Sequence, residues 1–206
     1  MSEQFAFSQA CENNKAPILD VLAPILQHSR RVLEVGGGTG QHAVFFGQHF
    51  ATKRNADQEP LIWQSSDQAA YLPDLAARIN HANLSNLLSP IELDVTSSAF
   101  TVEKVDAVFS ANTLHIMSWP VVQRFFQRLD EFCHKKAQLC IYGPFNYQGQ
   151  FTSDSNVNFD QYLKQRDPLM GIRDIEQVIA LAQQLGFTLE QDYAMPANNR
   201  LLHFKR

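Results

Sequence analysis

The sequence predicts a doubly wound α/β fold, a mostly parallel sheet covered by helices on both faces. Three observations predict it. Short β-rich runs alternate with helical runs over most of the chain, the pattern of strands joined by crossover helices. The first β-rich run breaks into a cluster of glycines that opens a helix. The tail holds two β-rich runs with no helix between them, most simply an antiparallel pair.

The elements follow in order. Residues 31–35 form a β-rich run stopped by glycines. After them Ala43, Val44, Phe46, Gly47 and Phe50 recur at the spacing of a buried helix face. Residues 61–64 read as a second strand and 72–80 as a helix. A third strand is expected over about 89–93, with Pro90 suited to its start, and a fourth over 105–110. The next helix carries Val121, Phe125, Phe126 and Leu129, and the fifth strand covers 138–142. A helix over about 174–185 ends at Gly186, a good residue for a helix end. The two tail strands cover 188–193 and 200–204. The piece between 143 and 171 is neither clear strand nor clear helix. Loops this long are usually functional, and its aromatic residues argue against disorder. It reads as a lid-like insertion over a site, or as a surface excursion anchored by its own aromatics. The whole, 1–206, is expected to be one domain.

Bulk properties exclude several functions. The chain has 206 residues, 45% hydrophobic and 18% charged, with a net charge of −4. This is an ordinary globular balance, without the basic footprint of a protein that grips nucleic acid or anionic membrane. Cys11, Cys133 and Cys140 lack CxxC spacing and read as free thiols in a reducing compartment. The seven histidines form no paired ligand spacing, so no metal site is expected. No run approaches the ~20 apolar residues of a membrane span, and the N-terminus lacks the pattern of a signal peptide. A cytoplasmic location is the expectation.

Glu34-Val35-Gly36-Gly37-Gly38-Thr39-Gly40 joins the first strand to the first helix after it. Glycine allows backbone angles closed to other residues and lets a ligand approach the main chain, at a helix end where free N–H groups are expected to point outward. Residues 38–43 can be written G-x-G-x-x-A, a dinucleotide fingerprint; residues 34–40 can be written E-x-G-x-G-x-G. In the second form Glu34 faces a cationic ligand, whereas a pyrophosphate would be repelled by it. Asp67 follows the second strand and is placed to accept hydrogen bonds from ribose hydroxyls, although it also reads as a helix N-cap. Asp94 follows the third strand and also reads as a turn residue. Both fall on the carboxyl edge, where open α/β sheets bind ligands.

The E-x-G-x-G-x-G loop, with acids after strands two and three and an antiparallel tail, resembles the class I S-adenosylmethionine-dependent methyltransferases. The resemblance implies their seven-stranded Rossmann-like sheet, with the last strand inserted antiparallel beside the fifth. It implies S-adenosylmethionine as cofactor, held by Glu34, Gly36, Gly38, Gly40, Asp67, Asp94 and Asn112. Longer strings narrow it. Ser8 to Leu19, Gly40-Gln41-His42-Ala43, Ser110 to Ile116, Tyr142-Gly143-Pro144-Phe145, Gly149 to Ser153, Gly171-Ile172-Arg173-Asp174 and Pro196 to Asn199 resemble a methyltransferase-like family of unknown function found in bacteria and animals. That family implies fold and cofactor and supplies no acceptor.

Methyl transfer needs an aligned nucleophile and, for oxygen or nitrogen, removal of a proton. The fourth strand delivers Asn112 and His115 to the carboxyl edge. The segment is not the N/D/S-P-P-Y/F tetrapeptide of enzymes acting on base or amide nitrogens, which argues against a nucleic-acid acceptor. Leu114-His115 with Trp119 looks like the histidine-bearing segment of small-molecule O-methyltransferases, in which the histidine is the base. Here the spacing to Trp119 is longer and no Asp follows His115. His115 reads as general base or as a hydrogen-bonded structural residue. Asn112 reads as a contact to methionine moiety or acceptor, or as a turn cap. Arg173 is the candidate anchor for an acceptor carboxylate or phosphate, or it pairs with Asp174 or Asp167. Asn156, Asn198 and Asn199 are further polar candidates, and Tyr142 reads as core. Glu12, Asn13 and Asn14 sit on an N-terminal helical cover, 1–29, that folds over the cofactor or stays solvated. The expected activity is methyl transfer to a small molecule, with no nucleic-acid or membrane partner. The alternatives are a non-catalytic S-adenosylmethionine-binding protein and an NAD-dependent oxidoreductase.

Overall fold

The structure, a computed structural model, describes residues 5–52, 59–98 and 102–206. The part of the expected N-terminal cover before residue 5 lies outside the described residues. In chain order the elements are α1 (Gln9–Ile25), β1 (Arg31–Val35), α2 (Gln41–Thr52), β2 (Ile62–Asp67), α3 (Leu72–Ala82), β3 (Leu87–Glu92), β4 (Val105–Ala111), α4 (Trp119–Gln127) and α5 (Leu129–Phe132). They continue with β5 (Cys133–Gly143), β6 (Phe145–Asn146), α6 (Asp154–Arg166), β7 (Arg173–Asp174), α7 (Ile175–Gln183), β8 (Thr188–Met195) and β9 (Asn199–Lys205).

Seven strands form one sheet in the order β3-β2-β1-β4-β5-β9-β8. β1 to β5 pair in parallel. β9 inserts antiparallel beside β5 and pairs antiparallel with β8 on its other side. The fold is thus the Rossmann-like, doubly wound sheet with one antiparallel strand near the C-terminus. From β1 the chain winds outward to β2 and β3, then returns so that β4 lies on the other side of β1. Parallel windings that leave adjacent strands in opposite directions open a crevice at the strands' carboxyl ends.

Side chains alternate between faces along a strand, and each face has its own core. Val32, Trp63, Ala107, Phe109, Cys140 and Tyr142 pack with α1, α2 and α3. Leu33, Val35, Val108, Leu139 and Ile141 pack with α4, α5 and α7. In the first core the ring of Phe46 lies 5.2 Å from Trp63 and 5.6 Å from Phe109.

Two expectations are corrected. β3 begins at Leu87, and Pro90 lies inside it instead of at its start. The strand is at the sheet edge, where a missing N–H on the open side breaks no ladder bond, and the register with β2 shifts between Gln64 and Ser66. The 143–171 segment is not a long loop. It contains β6, which pairs with β7, and the helix α6. The Ser153 side chain caps α6, accepting from the Asn156 N–H at 3.2 Å. Its buried residues are Asn156, Asp160 and Leu163, a face at helical spacing with two polar members. Among the described residues no helix is long and apolar enough to cross a membrane.

Phe46→Ala should remove about 3–5 kcal/mol of stability, read as a lower urea midpoint at unchanged slope. A loss below about 1 kcal/mol would contradict the packing of this core.

Candidate functional site

A cavity of about 610 Å³ opens where the carboxyl ends of β1, β2, β3 and β4 meet, a size suited to a small organic ligand. The glycine loop forms one wall, with Asp67, Asp94 and Asn112 from the segments after the next three strands. Ser8 and Cys11 close it from the N-terminal side, and Asp167, Leu169 and Met170, after α6, complete the rim.

The glycine loop is tightly bonded to itself and to β2. Gly36 and Gly37 both donate to the Ser66 carbonyl at 3.0 Å, and Gly40 donates to the Gly37 carbonyl at 2.9 Å. The Gly38 N–H donates to Asp67 Oδ2 at 2.8 Å. All four glycine amides are therefore engaged within the protein. Glycine is required for shape instead. Gly36 has φ +79, and a Cβ there would stand 2.6 Å from Thr113 Oγ1. Gly38 has φ +53 with no atom within 4 Å of a Cβ position, so at this cavity wall the main chain itself is what a ligand meets.

Asp67 is the last residue of β2. It caps no helix, because α3 starts after Tyr71. Its second oxygen accepts from the Gln68 N–H at 2.8 Å. Burial raises its carboxyl above the ordinary value, against the Gly38 and Gln68 amides, which lower it. Asp94 closes a turn, its Oδ1 accepting from the N–H and hydroxyl of Thr96 at 2.8 and 2.7 Å. Asn112 is left-handed at φ 56, a conformation asparagine tolerates, and its N–H bonds the Tyr142 carbonyl at 2.9 Å. Gly36, Gly38, Asp67, Asp94 and Asn112 are thus brought to one cavity.

Four expected site residues are placed elsewhere: Gly40, Glu34, His115 and Arg173 are not part of the cavity wall. Glu34 is 1% exposed and is not part of the cavity wall. Strand alternation puts it on the face of Val32, in register with Ser65 and Phe109. There its Oε2 accepts from Trp63 Nε1 at 3.0 Å and Ser65 Oγ at 2.5 Å. Burial pushes its carboxyl up to about 7, against the pull of those two donors and with help from Asp67. His115 is also buried and off the wall. Its ring meets Phe159 edge-on at 5.2 Å, and burial, aided by the Arg173 charge, pushes it down to about 4. It is a neutral, weakened base. Arg173 stands off the cavity wall, and among the described residues it forms no ion pair with Asp174 or Asp167. Its guanidinium donates to the carbonyls of Leu114 at 3.2 Å, Leu169 at 3.0 Å and Met117.

The N-terminal segment contributes wall residues that sequence reasoning did not single out. Ser8 caps α1 by accepting from the Cys11 N–H, and its own N–H donates to Gln41 Oε1 at 2.6 Å. Gln41 in turn donates to Glu12 at 3.0 Å, while Asn14 bonds His42 at 2.6 Å. Arg78 donates to the Thr39 carbonyl at 2.6 Å and to the Ala6 carbonyl. Ser8, Cys11, His42 and Thr113 thereby line the cavity. The only sequence signal for this was the polar cluster of residues 12–14. Asn13 instead bonds Gln9. Asn156 and Asn198 tie α6 to the β8–β9 turn, and Asn199 bonds within that turn, all off the cavity wall. Tyr142 is buried and hydrogen-bonded to Asn14.

The raised carboxyl of Glu34 has a consequence for stability. The folded chain holds this proton more tightly than the unfolded chain, so the associated stability is complete below pH 4.5 and is lost as pH rises through about 7. Glu34→Gln cannot ionise. Its stability relative to the parent should rise between pH 5 and 8, by up to roughly 3 kcal/mol, in urea melts across that range. A difference independent of pH would contradict the burial of this carboxylate.

Solved structures share the fold. An O-methyltransferase family protein from Burkholderia thailandensis superposes with a TM-score of 0.77 at 14% identity, over 96% of this chain and 57% of its own. The mitomycin 7-O-methyltransferase MmcR gives 0.75 at 14% identity, over 94% and 54%. PigF, solved with SAH, gives 0.71 at 9% identity, over 86% and 51%. The chain spans about half the length of these proteins, and the likeness is one of fold. Residues 5–206 match a single sequence family over nearly the whole chain. With the fold of the class I S-adenosylmethionine-dependent methyltransferases, the chain belongs to the family described as "Protein of unknown function (DUF938)".

Proposed function

We propose that this chain binds S-adenosylmethionine and transfers its methyl group to a small-molecule acceptor. One observation carries the reading: the four glycine amides of the loop are engaged inside the protein, and an aspartate holds that of Gly38 at the cavity wall. A diphosphate needs free amides and positive charge. Here it would meet the carboxylates of Asp67 and Asp94, and among the described residues no Lys or Arg lines the cavity. A nucleoside with a cationic amino-acid end suits the same wall. Each carboxylate oxygen accepts more than one hydrogen bond, so Asp67 keeps capacity for ribose hydroxyls and Asp94 for an adenine amino group. Gly36 and Gly38 let the main chain approach the ligand. Asn112 joins the methionine end to the acceptor side. When bound, the cofactor supplies a methyl group already activated by its sulfonium. The chain's own residues need only hold, align and shield the reactants. SAH bound to the structurally similar PigF is in keeping with this reading.

A second reading, cofactor binding without transfer, is favoured by one observation. His115, the expected base, and Arg173, the expected acceptor anchor, both stand off the cavity wall. Calorimetry separates the readings. S-adenosylhomocysteine should bind and, at 100 times its dissociation constant, add about 2.7 kcal/mol of stability, while NAD does neither. Asp67→Asn should weaken binding by about tenfold. Transfer of labelled methyl from the cofactor to a component of a metabolite extract supports the enzyme. Binding without any labelled product supports the second reading, and absence of binding overturns both.

A further inference from the structure

Opposite the glycine loop the cavity is walled by two segments, 112–118 after β4 and 167–171 after α6. They are tied together. The Gly171 N–H donates to the His115 carbonyl at 2.9 Å, and Arg173 bridges them through the carbonyls of Leu114, Met117 and Leu169. The Arg173 guanidinium is thus turned to main-chain oxygens, and the wall itself presents Ile116, Met117, Leu169 and Met170 beside Asn112, Thr113, Ser118 and Asp167. Ile116 is 45% exposed and Leu169 61% exposed, and Tyr71, across the mouth, is 56% exposed. Apolar side chains grouped in this way around a concave mouth mark a binding surface. The ionisable acids on the cavity are Asp67, Asp94 and Asp167. The histidine there, His42, is pushed down to about 4 by burial and is uncharged near neutral pH.

Resting on the cofactor reading, we propose that the acceptor is a compact apolar molecule, neutral or cationic, that packs between Ile116 and Leu169 and carries no carboxylate or phosphate. An anionic acceptor would be desolvated among three carboxylates with no Lys or Arg among the described residues of the wall. An apolar ring covers side-chain surface that otherwise faces water.

The test uses the full chain saturated with S-adenosylhomocysteine and three probes of one shape: 2-naphthol, 2-naphthylmethylamine and 2-naphthoate. Dissociation constants come from naphthyl fluorescence. The neutral and cationic probes should bind, and the carboxylate should bind at least about tenfold more weakly. Leu169→Arg places a cation on an exposed position of the wall. It should reverse the preference in favour of 2-naphthoate, with unchanged melting temperature. Equal or tighter binding of 2-naphthoate by the parent protein overturns the proposal, as does the absence of binding by all three probes. Failure of S-adenosylhomocysteine itself to bind overturns the cofactor reading and this proposal together, and so is distinct from a wrong acceptor class.

Discussion

The hydrogen bond from the Gly38 amide to Asp67 Oδ2, with the two amides that share the Ser66 carbonyl, fastens the end of β1 to the end of β2. A loop of this kind would otherwise be a flexible run of glycines with a large entropy cost of ordering. Fixed in this way, it places an aspartate where a phosphate-binding loop would keep a bare amide. The carboxylate also holds negative charge at the cavity through the main chain's own geometry. The choice between a dinucleotide and a sulfonium nucleoside therefore turns on which groups already occupy the loop's donors.

The rest of the site is arranged around that loop. β1 and β4 are adjacent and their connections leave in opposite directions, which opens the crevice; Gly36 must then pass close to Thr113 on the β4 side. The start of α1 folds down on α2 through Ser8, Glu12, Gln41, Asn14 and His42. Since this covering segment contributes Ser8 and Cys11 to the wall, the cavity's shape depends on a contact between parts of the chain far apart in sequence.

Strands β1, β2, β4 and β5 were legible because each is a local apolar run, and Asp67 and Asp94 because acids after consecutive parallel strands converge on one edge. The orientation of Glu34 was also available in the sequence: period-two alternation sets it with Val32, opposite Leu33. Electrostatics alone pointed it at the ligand, and the pleat decided otherwise. Helix α6 escaped detection because its buried face is Asn156 and Asp160 as well as Leu163. Those polar groups are satisfied by the Asn198 carbonyl and the Ile172 amide, partners that no local pattern reveals, and by Lys164 one turn on. The main-chain bonds of Arg173 were hidden for the same reason. Two of its acceptors are carbonyls of the distant loop after β4, Leu114 and Met117, and a guanidinium in a sequence looks equally suited to a ligand.

A common physical logic runs through these cases. Arg173 and Arg78 donate to main-chain carbonyls. Asp67, Asp94, Asp160 and Asp167 accept from main-chain amides. Charged side chains here fix irregular backbone, whose polar groups regular ladders cannot satisfy. The cations are turned inward to carbonyls, away from the cavity, while three of the four aspartates remain on its wall with lone pairs to spare. Among the described residues, the loops' own need for hydrogen bonds thus leaves a lining of acids, neutral polar groups and apolar side chains, without a Lys or Arg. What such a wall presents follows from the structural work assigned to Arg173 and Arg78 behind it.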